Sequence, residues 1–270
     1  MRRRSRGTLM QGARYCGPEC LEQALLRVLR RSQRAASPAG LAFHRIPLGL
    51  LLLSRQQLTG EQLRTALKLQ RESSPASSGK NSGVTNRKIG FWLQDLGFVT
   101  EHQVTAALAR QWSCPMLRSA PKAMAPNRFP AIPNLLLESF QMIPVEFVEA
   151  SGRLLMAFSE GIDYTVLYAI ERMLGYRTEA CLLRPSILQK SLENLGCRTG
   201  SGDVIFDRIK DAGECAEIIG NYCTMVRAEE VRVAQCGEHF WVRLERAQKE
   251  TVTLLMRGWN QARPSALSAQ

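Results

Sequence analysis

A duplication with a period of 41 residues constrains the fold of this 270-residue chain more than any other feature of its sequence. When residues 47–70 are laid over residues 88–111, seven of 24 positions are identical and no gap is needed. The identical pairs are Gly49/Gly90, Leu52/Leu93, Thr59/Thr100, Gln62/Gln103, Ala66/Ala107, Leu67/Leu108 and Gln70/Gln111. Because self-similarity at a fixed spacing marks a repeated structural unit, we expect two copies of one supersecondary structure.

Each copy predicts a helical hairpin. Gly49 or Gly90 opens a short first helix, and a Thr-x-x-Gln sequence predicts a capping box at the start of the second helix. The second helix carries two apolar residues and a glutamine at positions i, i+4 and i+7, which places all three on one face. These residues are Leu63, Leu67 and Gln70 in the first copy and Val104, Leu108 and Gln111 in the second.

The pattern resembles a tandem motif of the GspE/MshE N-terminal family, the N-terminal domain of type II secretion and type IV pilus assembly ATPases. That motif reads Arg-Leu-Gly-x-x-Leu, ten residues, Leu, three residues, Leu, two residues, Gln. The resemblance implies that two such motifs bind cyclic di-GMP. In the family the arginine stacks on a guanine, the glycine lets the backbone approach a phosphate, and the leucines form an apolar floor.

Carried over residue by residue, the resemblance implies thirteen ligand-binding positions. They are Leu48, Gly49, Leu52, Leu63, Leu67 and Gln70 in the first copy, and Lys88, Ile89, Gly90, Leu93, Val104, Leu108 and Gln111 in the second. The chain departs from the motif at its first position, where Pro47 and Lys88 stand in place of arginine. Proline cannot stack or donate as arginine does, and lysine offers a point charge where arginine offers a planar fork.

Two alternatives follow from these departures. Either the repeat retains cyclic di-GMP, with His44 and Arg45 supplying the missing stack just before Pro47, or it serves only as a scaffold. A leucine stripe at helical spacing is ordinarily core packing.

The family resemblance continues through residues 140–195, with Pro144-Val145 in a strand and Gly175-Tyr176 at the end of a helix.

The whole sequence predicts an α+β fold. We expect a basic tail and short helix in residues 1–40, with residues 1–15 disordered, and the tandem helical-hairpin repeat in residues 41–118. Residues 119–196 are expected to form a small β-β-α-β-α domain. Residues 203–260 are expected to form a small α+β unit of unknown role, a helix over about 203–227 followed by an antiparallel meander.

The distribution of charge suggests an alternative function. The chain has a net charge of +12, and residues 1–45 hold ten Arg and two Glu. A basic segment of this kind favours nucleic acid, an anionic lipid or an acidic partner, or it serves as a solubilising arm. The alternative to the family-based reading is therefore a basic nucleic-acid-binding protein that uses the Arg-rich N-terminal region.

The sequence contains no recognisable catalytic motif. A Walker A loop is missing, since Gly79-Lys80 is followed by Asn81 and Ser74 stands where its first glycine would be. The three histidines, His44, His102 and His239, are far apart in the sequence. There is also no Gly-x-Ser-x-Gly elbow and no dinucleotide-binding fingerprint. We therefore expect a protein that is not an enzyme.

The eight cysteines are scattered, and we expect reduced thiols and no cofactor. Cys16 and Cys20 precede a helix and resemble the second half of a treble-clef zinc knuckle, but two ligands do not make a structural zinc site. Three readings stay open: a start that lies further upstream, a shared zinc ion, or ordinary thiols, which the sequence slightly favours.

Taken together, these features predict a cytoplasmic, non-catalytic regulatory or adaptor protein of a type II secretion or type IV pilus-like system. The resemblance implies a secretion or pilus ATPase, or an assembly platform, as a partner in trans, with cyclic di-GMP as a ligand. The longest strongly apolar stretch, residues 46–53, is far shorter than the roughly 20 residues that a membrane-spanning helix requires.

Overall fold

The computed structural model describes residues 7–35, 45–73, 87–119, 132–196, 203–247 and 250–257. The helices are α1 (Pro18–Ala35), α2 (Leu48–Ser54), α3 (Gly60–Glu72), α4 (Ile89–Asp95), α5 (Glu101–Gln111), α6 (Asn134–Ser139), α7 (Tyr164–Leu174), α8 (Pro185–Gly196) and α9 (Ala212–Val226). The strands are β1 (Thr8–Met10), β2 (Ala13–Tyr15), β3 (Met142–Val148), β4 (Arg153–Phe158), β5 (Arg177–Leu182), β6 (Val204–Phe206), β7 (Glu230–Cys236), β8 (His239–Glu245) and β9 (Thr251–Arg257). The predicted α+β class is confirmed.

The two copies of the repeat form the same local structure. Thr59 accepts a hydrogen bond from the N–H of Gln62 at 3.3 Å and donates its own N–H to the side chain of Gln62 at 2.9 Å. The second copy repeats this arrangement between Thr100 and Gln103, at 3.3 and 2.7 Å. Both predicted capping boxes are therefore confirmed, and each satisfies two N–H groups that would otherwise be unpaired at the start of α3 or α5.

The principal helix contacts in the repeat run between the copies. The first helix of each copy lies against the second helix of the other, so that α2 packs on α5 and α4 packs on α3. Their shared core contains Leu48, Leu52, Leu58, Ala66, Leu93, Val99, Val104 and Ala107. Neither copy buries its apolar face by itself, so each copy depends on the other to complete the core.

A three-stranded sheet follows the repeat. Its strand order is β3-β4-β5, with β3 and β4 antiparallel and β4 and β5 parallel. The crossover helix α7 starts at the predicted N-cap Asp163, whose carboxylate accepts the N–H of Thr165 at 2.8 Å. It ends at Gly175, which has a φ of 78° and therefore a left-handed conformation that glycine adopts readily.

The second copy of the repeat is joined to this α/β region by two polar contacts. The Glu101 carboxylate accepts the N–H and the hydroxyl of Ser186 at 2.6 and 2.7 Å, at the start of α8. Lys88, the residue that precedes α4, forms an ion pair of 3.0 Å with Glu160, which lies between β4 and α7. A carboxylate at the N-terminus of a helix interacts favourably with the positive end of the helix dipole. The Glu101 contact therefore positions α8 against the second copy and also offsets the positive end of its dipole.

The two ends of the described chain build one six-stranded sheet. Its order is β2-β1-β7-β8-β9-β6, and β1 pairs in parallel with β7, with Leu9 opposite Glu230. On one face α1 packs against α9, and both helices contribute to a core with Met10, Phe240 and Leu254. The residues of 7–35 and 203–257 that the structure describes are therefore packed around one shared core.

The opposite face of the six-stranded sheet packs against the α/β region. Ala234, Cys236, Trp241 and Leu255 point into the same core as the buried residues of α7. Arg232 on β7 also donates a hydrogen bond to the carbonyl of Met173 at 3.1 Å. Successive strand residues alternate between faces, so β7 contributes Val231 and Val233 to one core and Ala234 and Cys236 to the other.

Two local predictions are wrong. Residues 7–15, expected to be disordered, form the β1–β2 hairpin because β1 gains a pairing partner more than 200 residues away, in β7. The helix expected over about 203–227 begins only at α9, since Asp211 caps it and β6 pairs in parallel with β9. Both errors involve short strands whose partner is distant in sequence.

Candidate ligand-binding site

The structure places the thirteen predicted ligand-binding residues on or beside the four helices of the repeat. Six are buried, namely Leu48, Gly49, Leu52, Gly90, Leu93 and Val104. Six are half-buried, namely Leu63, Leu67, Gln70, Ile89, Leu108 and Gln111. Lys88 is exposed. Seven of the apolar residues belong to the core of the repeat or pack against it, namely Leu48, Leu52, Leu63, Ile89, Leu93, Val104 and Leu108. These residues therefore contribute to packing.

Both motif glycines lie where helices approach closely. A Cβ atom on Gly49 would lie 2.8 Å from Cδ1 of Leu63, within the same copy. A Cβ atom on Gly90 would lie 3.2 Å from both Leu48 and Val104, so it would touch both copies. Packing alone therefore accounts for a small residue at these two positions.

The motif glutamines tie the copies to each other. Gln111 donates from Nε2 to the carbonyl of Ile46 at 2.6 Å, and Gln70 donates from Nε2 to the carbonyl of Arg87 at 3.0 Å. Donors and acceptors are each separated by the 41-residue period, so the two hydrogen bonds are equivalent. Each glutamine holds the segment that leads into the first helix of the other copy.

The first positions of the two motifs differ from each other. Pro47 precedes α2 and gives it no side-chain cap. Lys88 precedes α4, and 69% of its side chain is exposed although its ammonium group lies 3.0 Å from Glu160. The second copy therefore keeps a positive charge at this point, and the first copy has none there.

A guanidinium group lies close to the first copy on the upstream side. The Arg45 guanidinium lies over the ring of Trp112, 3.2 Å from the ring centroid. In the second copy the Arg87 guanidinium lies 4.2 Å from the ring centroid of Phe91. Both copies thus present an arginine stacked on an aromatic ring where the chain enters the first helix. His44 lies outside the described residues.

Arg45 and Trp112 belong to a groove that we call the Trp112 groove. Its volume is about 520 Å³, and it is lined by Arg45, Ile46, Leu51, Arg110, Gln111, Trp112, Ser113 and Tyr164. It therefore contains the predicted site residue Gln111 beside two arginines. Guanidinium groups next to an indole suit an anionic ligand that carries a planar ring.

A second cavity of about 660 Å³ continues beyond Trp112. Trp112 and Tyr164 line both cavities, and their ring centroids are 6.0 Å apart. Tyr168, one turn further along α7, is 67% exposed. The aromatic surface thus runs from the repeat onto α7. The sequence motif does not include Trp112 or the two tyrosines, and the one signal in the sequence is that Trp112 directly follows Gln111.

The buried thiols in the described regions are poorly suited to chemistry. Burial raises the pKa of Cys181, Cys215, Cys223 and Cys236 to about 12, and it also raises the pKa of the half-buried Cys114. These thiols stay protonated at neutral pH. No group of three or more His, Cys, Asp or Glu side chains in the described residues is arranged to hold a metal ion.

Comparisons with known proteins found similar solved structures. No family model and no curated protein matches the chain. A structure of MshE with cyclic di-GMP matches with 23% identity and a TM-score of 0.43, over 56% of this chain and 99% of that one. The chain is similar to MshE.

Two crystal forms of the N-terminal domain of XpsE also match. One has 19% identity and a TM-score of 0.37, and covers 54% of this chain and 91% of that chain. The other has 23% identity and a TM-score of 0.30, and covers 53% of this chain and 89% of that chain. The similarity to MshE and XpsE therefore spans about half of this chain.

Two further features bear on the expected partners. Within the described ranges, no helix combines the length and apolar character needed to cross a membrane.

On α1, Arg27, Arg30 and Arg31 are exposed. Residues 1–6, which hold four further arginines of the basic segment, lie outside the described residues. Nucleic-acid binding by this segment stays a prediction.

Proposed function

We propose that this chain is a non-catalytic regulatory or adaptor protein of a type II secretion or type IV pilus-like system, and that its tandem repeat binds cyclic di-GMP. The proposal starts from the motif resemblance in the sequence. A separate secretion or pilus ATPase, or the assembly platform, is the partner on which it acts. The cytoplasm is its expected location.

The observation that carries the proposal is the equivalence of the two copies. Gln70 and Gln111, at the ends of the two motifs, make the same contact to the opposite copy, with N···O distances of 3.0 and 2.6 Å. A ligand built from two identical nucleotide halves is matched best by two equivalent half-sites. The reciprocal contacts provide that equivalence, because they place each motif entrance against the end of the other motif.

The second supporting observation is the presence of basic side chains, two of them with planar guanidinium groups. Arg45 and Arg110 line the Trp112 groove, and Lys88 is exposed at the entrance of the second copy. In this proposal Arg45, two residues before Pro47, makes the contact to a guanine that proline cannot make. Its position over Trp112 orients the guanidinium, and phosphate oxygens face Arg110 and Lys88.

The regulatory role is proposed from the sequence motifs. The 270 residues contain no Gly-x-x-x-x-Gly-Lys-Ser/Thr loop, whose backbone amides hold nucleotide phosphates in ATPases. The repeat resembles the N-terminal domain of secretion and pilus ATPases, and in this proposal it acts on such an ATPase in trans.

Titration calorimetry of the full chain with cyclic di-GMP tests the proposal. We expect saturable binding that weakens at least tenfold in Arg45→Ala and in Lys88→Ala. The matched controls are Arg64→Ala, an exposed arginine on α3, and Lys68→Ala, an exposed lysine that likewise pairs with a glutamate, Glu72, at 3.9 Å. Each control should bind like the unmodified chain.

Absence of heat at high micromolar ligand, with protein shown to be folded by circular dichroism, would remove cyclic di-GMP from the proposal. A parallel titration with duplex DNA tests the alternative. Affinity for DNA that falls steeply with salt, and is lost when residues 1–6 are removed and the exposed Arg27, Arg30 and Arg31 are changed to alanine, would favour the nucleic-acid-binding function.

A further inference from the structure

Two thiols lie side by side on the surface at the junction between β2 and α1. Cys16 follows β2 directly, and Cys20 lies in the first turn of α1. Both residues are exposed, and their Sγ atoms are 3.7 Å apart. The other described cysteines are buried or half-buried. This pair is thus set apart by its accessibility.

The turn between the two cysteines is held by the start of the helix. Pro18 begins α1, and its fixed φ is suited to the first position of a helix. The N–H of Leu21 donates to the carbonyl of Gly17 at 3.1 Å, which closes the first helical turn around the pair. The sulfur atoms are therefore brought together by the turn that begins α1.

The separation of the sulfur atoms suits a tetrahedral metal ion. Zinc–thiolate bonds of about 2.3 Å at tetrahedral angles place two sulfur atoms roughly 3.8 Å apart. The observed 3.7 Å meets this requirement with no rearrangement of the backbone. The sulfur atoms of a disulfide, by contrast, must approach to about 2.05 Å.

We propose that Cys16 and Cys20 form half of a zinc site, which the same two cysteines of a second copy complete. A structural zinc ion almost always has four protein ligands. In the described ranges, no third His, Cys, Asp or Glu joins the pair. Because the pair is exposed, two copies approach each other through it, and together they supply four thiolates.

The charge of the N-terminal segment is compatible with this arrangement. Binding of Zn²⁺ by four thiols releases four protons and leaves a centre with a net charge of −2. Residues 1–45 contain ten Arg and two Glu, and two chains of net charge +12 otherwise repel each other. The anionic centre offsets part of that repulsion where the two copies meet.

Zinc titration of the reduced, metal-free full chain tests the proposal, with the metal measured by a chromophoric chelator and the mass by light scattering. We expect about one zinc ion per two chains and a shift from monomer to dimer at the same ratio. Cobalt in place of zinc should give the thiolate-to-metal charge-transfer band and the visible absorption of a tetrahedral thiolate site. Excess chelator should restore the monomer.

The double variant Cys16→Ser, Cys20→Ser should lose both the zinc and the dimer, and Cys114→Ser, a half-buried cysteine elsewhere, should lose neither. Circular dichroism confirms that each variant is folded. Three outcomes overturn the proposal: no zinc binding, one zinc per monomer, or dimerisation that persists in the double serine variant. One zinc per monomer would assign the remaining ligands to the same chain, with His44 and Cys197 as the residues to test.

Discussion

Gln111 donates a hydrogen bond of 2.6 Å to the carbonyl of Ile46, and so ties the last helix of the repeat to the segment that enters its first helix. The same contact joins Gln70 to Arg87 at 3.0 Å. The two copies of the repeat are thus closed onto each other in both directions. The glutamines that the motif resemblance assigns to ligand binding also have a structural role.

This relationship predicts the effect of removing either glutamine. Gln111→Leu and Gln70→Leu should each destabilise the protein by about 1 kcal/mol, because each leaves a backbone carbonyl without its donor. In a double-mutant cycle, the two losses should not add, since both contacts fix the same packing of the two copies. Urea unfolding measures both effects.

The control is Gln23→Leu, at an exposed position on α1. It should change the free energy of unfolding by less than about 0.5 kcal/mol. If the two motif variants were as stable as this control, the reciprocal hydrogen bonds would make no measurable contribution to the free energy of unfolding.

The motif glycines predict unequal tolerance of a methyl group. In Gly90→Ala the new Cβ would meet Leu48 and Val104 at 3.2 Å, and both residues are buried. Overpacking of this kind costs about 1–3 kcal/mol, so we expect a clear loss of stability by thermal or urea unfolding. In Gly49→Ala the nearest atom belongs to the flexible, half-buried Leu63, and the loss should be smaller.

Gly60→Ala provides the comparison, because no atom lies within 4 Å of the added Cβ at this first position of α3. We expect it to be neutral or to stabilise the protein by about 0.4–1 kcal/mol, since alanine restricts the unfolded chain. Equal losses in Gly60→Ala and Gly90→Ala would contradict the packing explanation.

The Glu101 contact predicts how firmly the repeat is attached to the α/β region. Glu101→Gln keeps the size of the side chain but removes the charge that faces Ser186 and the N-terminus of α8. We expect a loss of about 1–2 kcal/mol, measured by urea unfolding, because a charged acceptor is replaced by a neutral one. Glu61→Gln, an exposed acid in the first turn of α3, should cost less than half as much.

The buried cysteines predict alkaline sensitivity. Burial raises the pKa of Cys215 to about 12 from its ordinary 9.0, so the folded state keeps this proton to higher pH than the unfolded state does. Stability from this group is complete below pH 9 and is lost as the pH rises toward 12. The slope amounts to about 1.4 kcal/mol per pH unit for each such thiol.

The measurement is the free energy of unfolding of the unmodified chain and of Cys215→Ala from pH 8 to 11. The variant should start less stable but lose stability less steeply, since other titrating groups are common to both proteins. Identical slopes in the two proteins would show that this thiol does not contribute.

Much of the local structure was readable from the sequence, because it depends on contacts between near neighbours. Thr59 and Thr100 bond to residues three positions away, and Asp163 caps the helix that follows it directly. The two glutamines were also predicted to be equivalent, and their hydrogen bonds to the opposite copies are equivalent.

The candidate site was only partly readable. The sequence motif predicted Gln111 as a site residue, and Arg45 was predicted just upstream of the motif. The motif did not predict the Trp112 ring over which the Arg45 guanidinium lies. Trp112 becomes part of a groove only because α7 brings Tyr164 next to it, at 6.0 Å between ring centroids. No spacing in the sequence relates these two residues.

The sequence by itself determined the helices of the repeat, their caps and the equivalence of the two copies, because these depend on hydrogen bonds between near neighbours and on helical periodicity. The tertiary structure alone decided that the helices of the two copies interlock and that Leu9 pairs with Glu230 across the length of the chain. A strand of three residues specifies no partner, since its backbone groups are the same as those of any other strand. The pairing of β1 with β7 is determined by the hydrophobic core that α1, α9 and the six-stranded sheet bury together.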